Sequence, residues 1–148
     1  MEAMSEPSRN QSFERVLRAG HELRRSLAKL RQLLAACRDP TAPLALLDDL
    51  HRQLEAHFRF EEAGGYLRDV LAQAPGHAVE AGRLQAQHAA LLGGLDRLQA
   101  EVEGCLEAPR WASVRAAFAR FREELERHER AEIHLVQESV LTDLGAED

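Results

Sequence analysis

The sequence predicts an all-α protein, folded as an antiparallel up-down-up-down four-helix bundle, and three observations carry the prediction. Leu, Ala, Arg and Glu dominate, and aromatic residues make up only 5% of the chain, a composition that favours helix almost throughout. Apolar residues recur at alternating steps of three and four along four long segments, which lines them up on one face of a helix. Short breaks rich in Pro and Gly separate those segments, and short connections between long helices make neighbours antiparallel. The bundle is expected over residues 11–144, between polar tails at 1–10 and 145–148.

The first helix is expected from Gln11 to Cys37, with Leu23, Leu27, Leu30 and Leu34 as its apolar stripe. Asp39-Pro40-Thr41-Ala42-Pro43 stops it, because proline has no N–H to donate and disfavours helix in the residue before it. The second helix starts near Pro43 and carries Leu47, Leu50, Leu54, His57 and Glu61, a core-facing seam on which the last two members are polar. Gly64-Gly65 interrupts it, and Tyr66 to Ala74 reads as a further short helical stretch. After the Pro75-Gly76 turn, the third helix shows Leu84, His88, Leu91, Leu95, Leu98 and Val102. Glu107-Ala108-Pro109 closes it, with Pro109 expected in the first turn of the fourth helix. That last helix has the cleanest seam, Phe118, Phe121, Leu125, His128, Glu132, Leu135 and Ser139, and is expected to stop before Gly145.

At 148 residues the chain suits one domain with one core. A net charge of −6 argues against nonspecific nucleic-acid binding, which needs a basic face. No apolar run approaches the roughly 20 residues that span a bilayer, and Met1 to Asn10 shows no hydrophobic signal segment, so a cytoplasmic location is the expectation. Cys37 and Cys105 are too few for a disulfide framework. They are read as inert thiols, with a redox pairing between them as the alternative.

The chemistry lies in a repeated pattern. His57 is followed four residues later by Glu61, and His128 four later by Glu132. That spacing stacks both side chains on one face of a helix, one turn apart. Each pair has a lone upstream histidine within an apolar helical pattern, His21 before the first and His88 before the second. Measured from the two interhelical turns at about 1.5 Å per residue, all four histidines reach a similar depth, roughly 25–30 Å down the bundle. Burying Glu61 and Glu132 in a Leu-rich seam would cost several kcal/mol each without a positive partner. No Lys or Arg lies on the inner stripes of the last three helices to supply it. A cation is the simplest compensator. Four imidazoles and two carboxylates can hold two divalent ions, with His21 and His57 on one, His88 and His128 on the other, and both glutamates bridging. Such a donor set suits iron, manganese or zinc. His21 sits on the shoulder of its helix's Leu stripe, so it needs some helix rotation to point inward.

His51 and His134 fall off the inner seams and are expected to be exposed, and His77 lies three turns from His88. Glu62 and Glu129 read as solvated surface charge, with a role beside or on the metals as the alternative. Tyr66 reads as a packing residue or as a hydrogen-bond donor over the site.

The ordered set His21, His57-x-x-x-Glu61, His88, His128-x-x-x-Glu132, with Phe60-Glu61-Glu62-Ala63-Gly64-Gly65-Tyr66-Leu67, resembles the hemerythrin-like family of HHE cation-binding domains. The resemblance covers nearly the whole chain. It implies a non-haem di-iron centre with a bridging oxo or hydroxo group, His21, His57, His88 and His128 as terminal ligands, and Glu61 and Glu132 as bridges. It further implies a small diatomic or peroxide ligand, in a protein for oxygen or redox sensing, storage or detoxification. The family's oxygen carriers have a second histidine four residues away on the third helix, where this chain has Leu84 and Leu92, and a His-x-x-x-x-Asp on the fourth, where it has His128 and Glu132. One histidine fewer leaves room at a metal for water, peroxide or nitric oxide. The rival expectations are a peroxide-decomposing di-iron enzyme and a metal-free or zinc-stabilised helical interaction module.

Overall fold

A computed structural model describes residues 9–36, 39–63 and 75–146. Four helices, α1 (Arg9–Ala36), α2 (Thr41–Ala63), α3 (Ala78–Gly104) and α4 (Trp111–Ala146), form the bundle, with a short 3-10 turn, Pro75–His77, ahead of α3. Each helix packs against two neighbours, α1 on α2, α2 on α3, α3 on α4 and α4 back on α1. The α1–α4 pair runs antiparallel. Arg115 near the start of α4 reaches the carbonyl of Leu34 near the end of α1, whereas Glu129, further along α4, lies over Gly20.

The predicted breaks fall where the backbone chemistry requires. Asp39 Oδ1 accepts hydrogen bonds from the Thr41 amide (2.9 Å) and hydroxyl (2.8 Å), satisfying a donor at the start of α2 that has no intrahelical partner. Pro43 lies within the first turn of α2, where its missing N–H costs nothing. Three boundaries differ from expectation. The first helix begins at Arg9, inside the expected polar tail. Pro109 precedes α4 rather than lying inside it, and α4 runs through Gly145 to Ala146, since one glycine costs a helix only about 1 kcal/mol. The stretch Tyr66–Ala74, and with it Tyr66, lies outside the described residues, as does Cys37. Cys105 is a buried free thiol.

Among the described residues, the buried apolar side chains form two clusters. The larger holds Leu23, Leu27, Leu30 and Leu34 of α1, Leu47, Leu50, Leu54 and Phe58 of α2, Leu91 to Val102 of α3 and Val114 to Leu125 of α4. The smaller gathers Val16, Ala81, Leu84, Leu135 and Val136. Between them along the helices lie His57 and Glu61, His88, and His128, Glu129 and Glu132, all buried. The polar residues thus make one layer, closed above and below by hydrocarbon. No described helix is long and apolar enough to cross a membrane.

Candidate metal centre

Glu61 and Glu132 are essentially inaccessible, at 0% and 1% exposure. The i, i+4 geometry of α2 brings His57 Nε2 to 2.6 Å from Glu61 Oε1, and that of α4 brings His128 Nε2 to 2.6 Å from Glu132 Oε1. His88 reaches across from α3, its Nε2 3.1 Å from Glu61 Oε2 and 3.4 Å from Glu132 Oε1. Close as they are, several of these atoms do not satisfy one another. Both Glu61 carboxylate oxygens and His128 Nε2 are buried without a hydrogen-bond partner. Nitrogen and oxygen donor atoms therefore crowd together inside an apolar shell, an arrangement that costs free energy unless protons or a cation lie between them.

One donor atom each from Glu61, His88, His128 and Glu132 lies within 4.8 Å of all the others. Donors about 2.0–2.2 Å from a shared ion stand at most about 4.4 Å apart, so adjustments of a few tenths of an ångström would complete the coordination. The residues fit a divalent cation.

Two of the imidazoles are oriented from behind. His88 Nδ1 donates to Glu62 Oε1 at 2.8 Å, and His128 Nδ1 donates to Gln87 Oε1 at 2.7 Å. A proton fixed on Nδ1 leaves the Nε2 lone pair facing the cluster, as a metal-ligating histidine requires. Phe58 then wedges the rings. It stacks on His88 with centroids 3.8 Å apart and meets His128 edge-on at 5.7 Å, which limits ring rotation and keeps water out.

The electrostatics of the metal-free cluster follow from this packing. Burial disfavours an imidazolium at His88, but the carboxylates of Glu132, Glu61 and Glu62 outweigh it and push its pKa up to about 10. His57 is raised for the same reason, burial being outweighed by Glu61, Glu132 and Glu129. Burial raises Glu61 despite its imidazole neighbours. At Glu132 burial is overcome by His128 and His88, which hold the carboxyl well below its usual range. Burial lifts Glu129 to about 7. The cluster thus binds protons where it would bind metal, and a cation would have to displace them.

Of the six residues the pattern nominates, the structure gathers five, His57, Glu61, His88, His128 and Glu132. It does not bring in His21, which is exposed on α1 with its Nδ1 3.0 Å from Arg24 Nη2. The inward rotation His21 needs does not occur, because Leu23, Leu27 and Leu30 already set which face of α1 is buried. Glu129, read from sequence as surface charge, is buried. Glu62 keeps an exposed side chain but serves His88, and Gln87 was not singled out at all. His134 is exposed beside Glu138, as expected. His51 is half-buried instead and meets Asp96 of α3 at 3.2 Å.

A buried histidine and glutamate layer across a four-helix bundle defines a class, the helical cation-binding bundles. A family model, the hemerythrin HHE cation binding domain, matches residues 11–137, and the chain belongs to that family. No curated protein and no solved structure gives a significant match.

Proposed function

We propose that this layer holds two divalent cations, iron in the working protein, and that the centre binds O2 or a related small oxidant. The observation that carries the reading is the set of buried, unpartnered atoms, Glu61 Oε1 and Oε2 and His128 Nε2, converging in a layer otherwise sealed by Leu and Phe. When bound, an iron pair supplies reversible two-electron chemistry toward a small oxidant. The chain's own residues do the rest. Glu61 and Glu132, central to the cluster, would bridge the ions, while His57, His88 and His128 supply neutral nitrogen donors. Glu62 and Gln87 keep the protons of His88 and His128 on Nδ1, away from the cluster. Phe58 and the leucines on either side exclude bulk water, so a small apolar molecule enters more readily than a hydrated ion.

The test is anaerobic loading with Fe²⁺ followed by exposure to O2. The expected result is an optical change that saturates with O2 and reverses when O2 is removed. Iron bound without any O2-dependent change would contradict the reading. Sustained consumption of peroxide without bleaching of the centre would move the function to the enzymatic alternative.

A further inference from the structure

We propose that Glu129, not a histidine of α1, is the terminal ligand of the second cation beside His57, its carboxylate occupying the space that Gly20 leaves open. This inference rests on the two-cation reading above and goes beyond it by assigning a ligand.

Register is the first argument. In α3 the layer position is His88, flanked by Leu84 in the smaller apolar cluster and Leu91 in the larger. In α1 the equivalent flanking residues are Val16 and Leu23, and the residue at the same steps between them is Gly20. His21 is one position further on, turned by about 100° around the helix, and it faces solvent. The first helix therefore brings no histidine or carboxylate to the layer.

The second argument is what fills the gap. A Cβ added at Gly20 would lie 3.7 Å from Glu129 Oε2 and 3.8 Å from Oε1, so the carboxylate lies directly over the glycine. Any larger residue there would have to share that space. Glu129 is only 9% exposed, and its Oε1 has no hydrogen-bond partner. Arg24 borders the same space and its charge partly offsets the burial of Glu129, but its guanidinium lies against His21 Nδ1 and leaves Glu129 Oε1 without a hydrogen bond.

The third argument is room. Gly20, His57, Glu129 and Glu132 border a small cavity, about 10 Å³, close to the volume of one water-sized sphere. Two carboxylates and an imidazole around such a void make a hard, anionic donor set suited to a divalent cation. Glu132 borders this pocket, whereas His88 and His128 do not. One ion would then take His88 and His128, the other His57 and Glu129, with Glu61 and Glu132 between them.

The test is anaerobic titration with Mn²⁺ and with Fe²⁺, read as ions retained per chain after desalting, with helical circular dichroism as the folding control. Wild-type protein is expected to retain two ions. Glu129→Gln, nearly the same shape, is expected to retain one and to weaken the second at least tenfold. His21→Ala is expected to retain two. Gly20→His in a Glu129→Ala background, which vacates the space over residue 20, is expected to regain the second ion, because it sets an imidazole on α1 at the layer. Two ions held with unchanged affinity by Glu129→Gln, or an ion lost in His21→Ala, would overturn the assignment while leaving the two-cation reading intact. Fewer than two ions in the wild-type protein would overturn both.

Discussion

The two sides of the polar layer are built to different standards. On the α3–α4 side, two imidazoles from two helices face the cluster, each held from behind by a hydrogen bond and both in contact with Phe58. On the α1–α2 side His57 is the one imidazole that faces inward, while α1 offers Gly20, which is covered by Glu129 of the neighbouring α4. The first side offers two imidazole nitrogens, each oriented by a hydrogen bond at Nδ1. The second is richer in carboxylate and less firmly supported. Pseudo-symmetry in the sequence pattern therefore conceals an asymmetric centre, and the asymmetry decides which perturbations remove all metal and which remove half.

The largest effect is expected from Glu132→Ala. Its carboxylate is shared by His88 and His128 and borders the second cavity as well, so both sides should fail together. Metal retention is expected to fall from two ions per chain to none, measured by elemental analysis after desalting. Retention of one ion would show that the sides are independent and break the comparison.

A smaller effect is expected from Gln87→Leu, which strips the α3–α4 side of its support without touching the cluster. His128 Nδ1 would lose its acceptor, and loss of such an orienting partner typically costs 10–100-fold in metal affinity. Competition with a chromophoric chelator would measure it. The tight ion should weaken toward the affinity of the second one, narrowing the difference between the sides.

The smallest effect concerns the metal-free protein. Burial raises Glu129 from the ordinary 4.5 of a glutamate to about 7. A carboxyl raised in the folded state is neutral and harmless below about pH 4.5, becomes a growing cost as pH rises toward 7, and costs its full amount above that. Glu129→Gln should therefore stabilise metal-free protein at pH 8, by on the order of 3 kcal/mol, and leave it nearly unchanged at pH 4. With metal loaded the sign should reverse, because a ligand has been removed. Thermal melts at the two pH values, with and without metal, would show whether the reversal occurs.

Much of this architecture was legible in the order of residues. The alternating steps of Leu47 to Glu61, Leu84 to Val102 and Phe118 to Leu135 identify the buried faces of three helices, and every named member of those seams is buried. The first helix held the same information. Carrying the Leu23–Leu34 steps back one more turn leads to Gly20 and Val16, not to His21, so the histidine's chemical appeal outweighed its phase. Glu129 was hidden for a different reason. It follows His128 directly, which points to a different face of the helix, and its burial depends on a glycine 109 residues away lacking a side chain. No local pattern encodes that. Glu62 and Gln87 are legible only as polar edge residues until the rings of His88 and His128 are set beside them.

The most direct test of the central claim, that the buried histidine and glutamate layer is a cation site, is anomalous diffraction at the iron edge from crystals loaded anaerobically with Fe²⁺. A strong peak enclosed by Glu61, His88, His128 and Glu132, with a second beside His57, is the expected result. Anomalous density confined to exposed carboxylates, with none inside the layer, would contradict it.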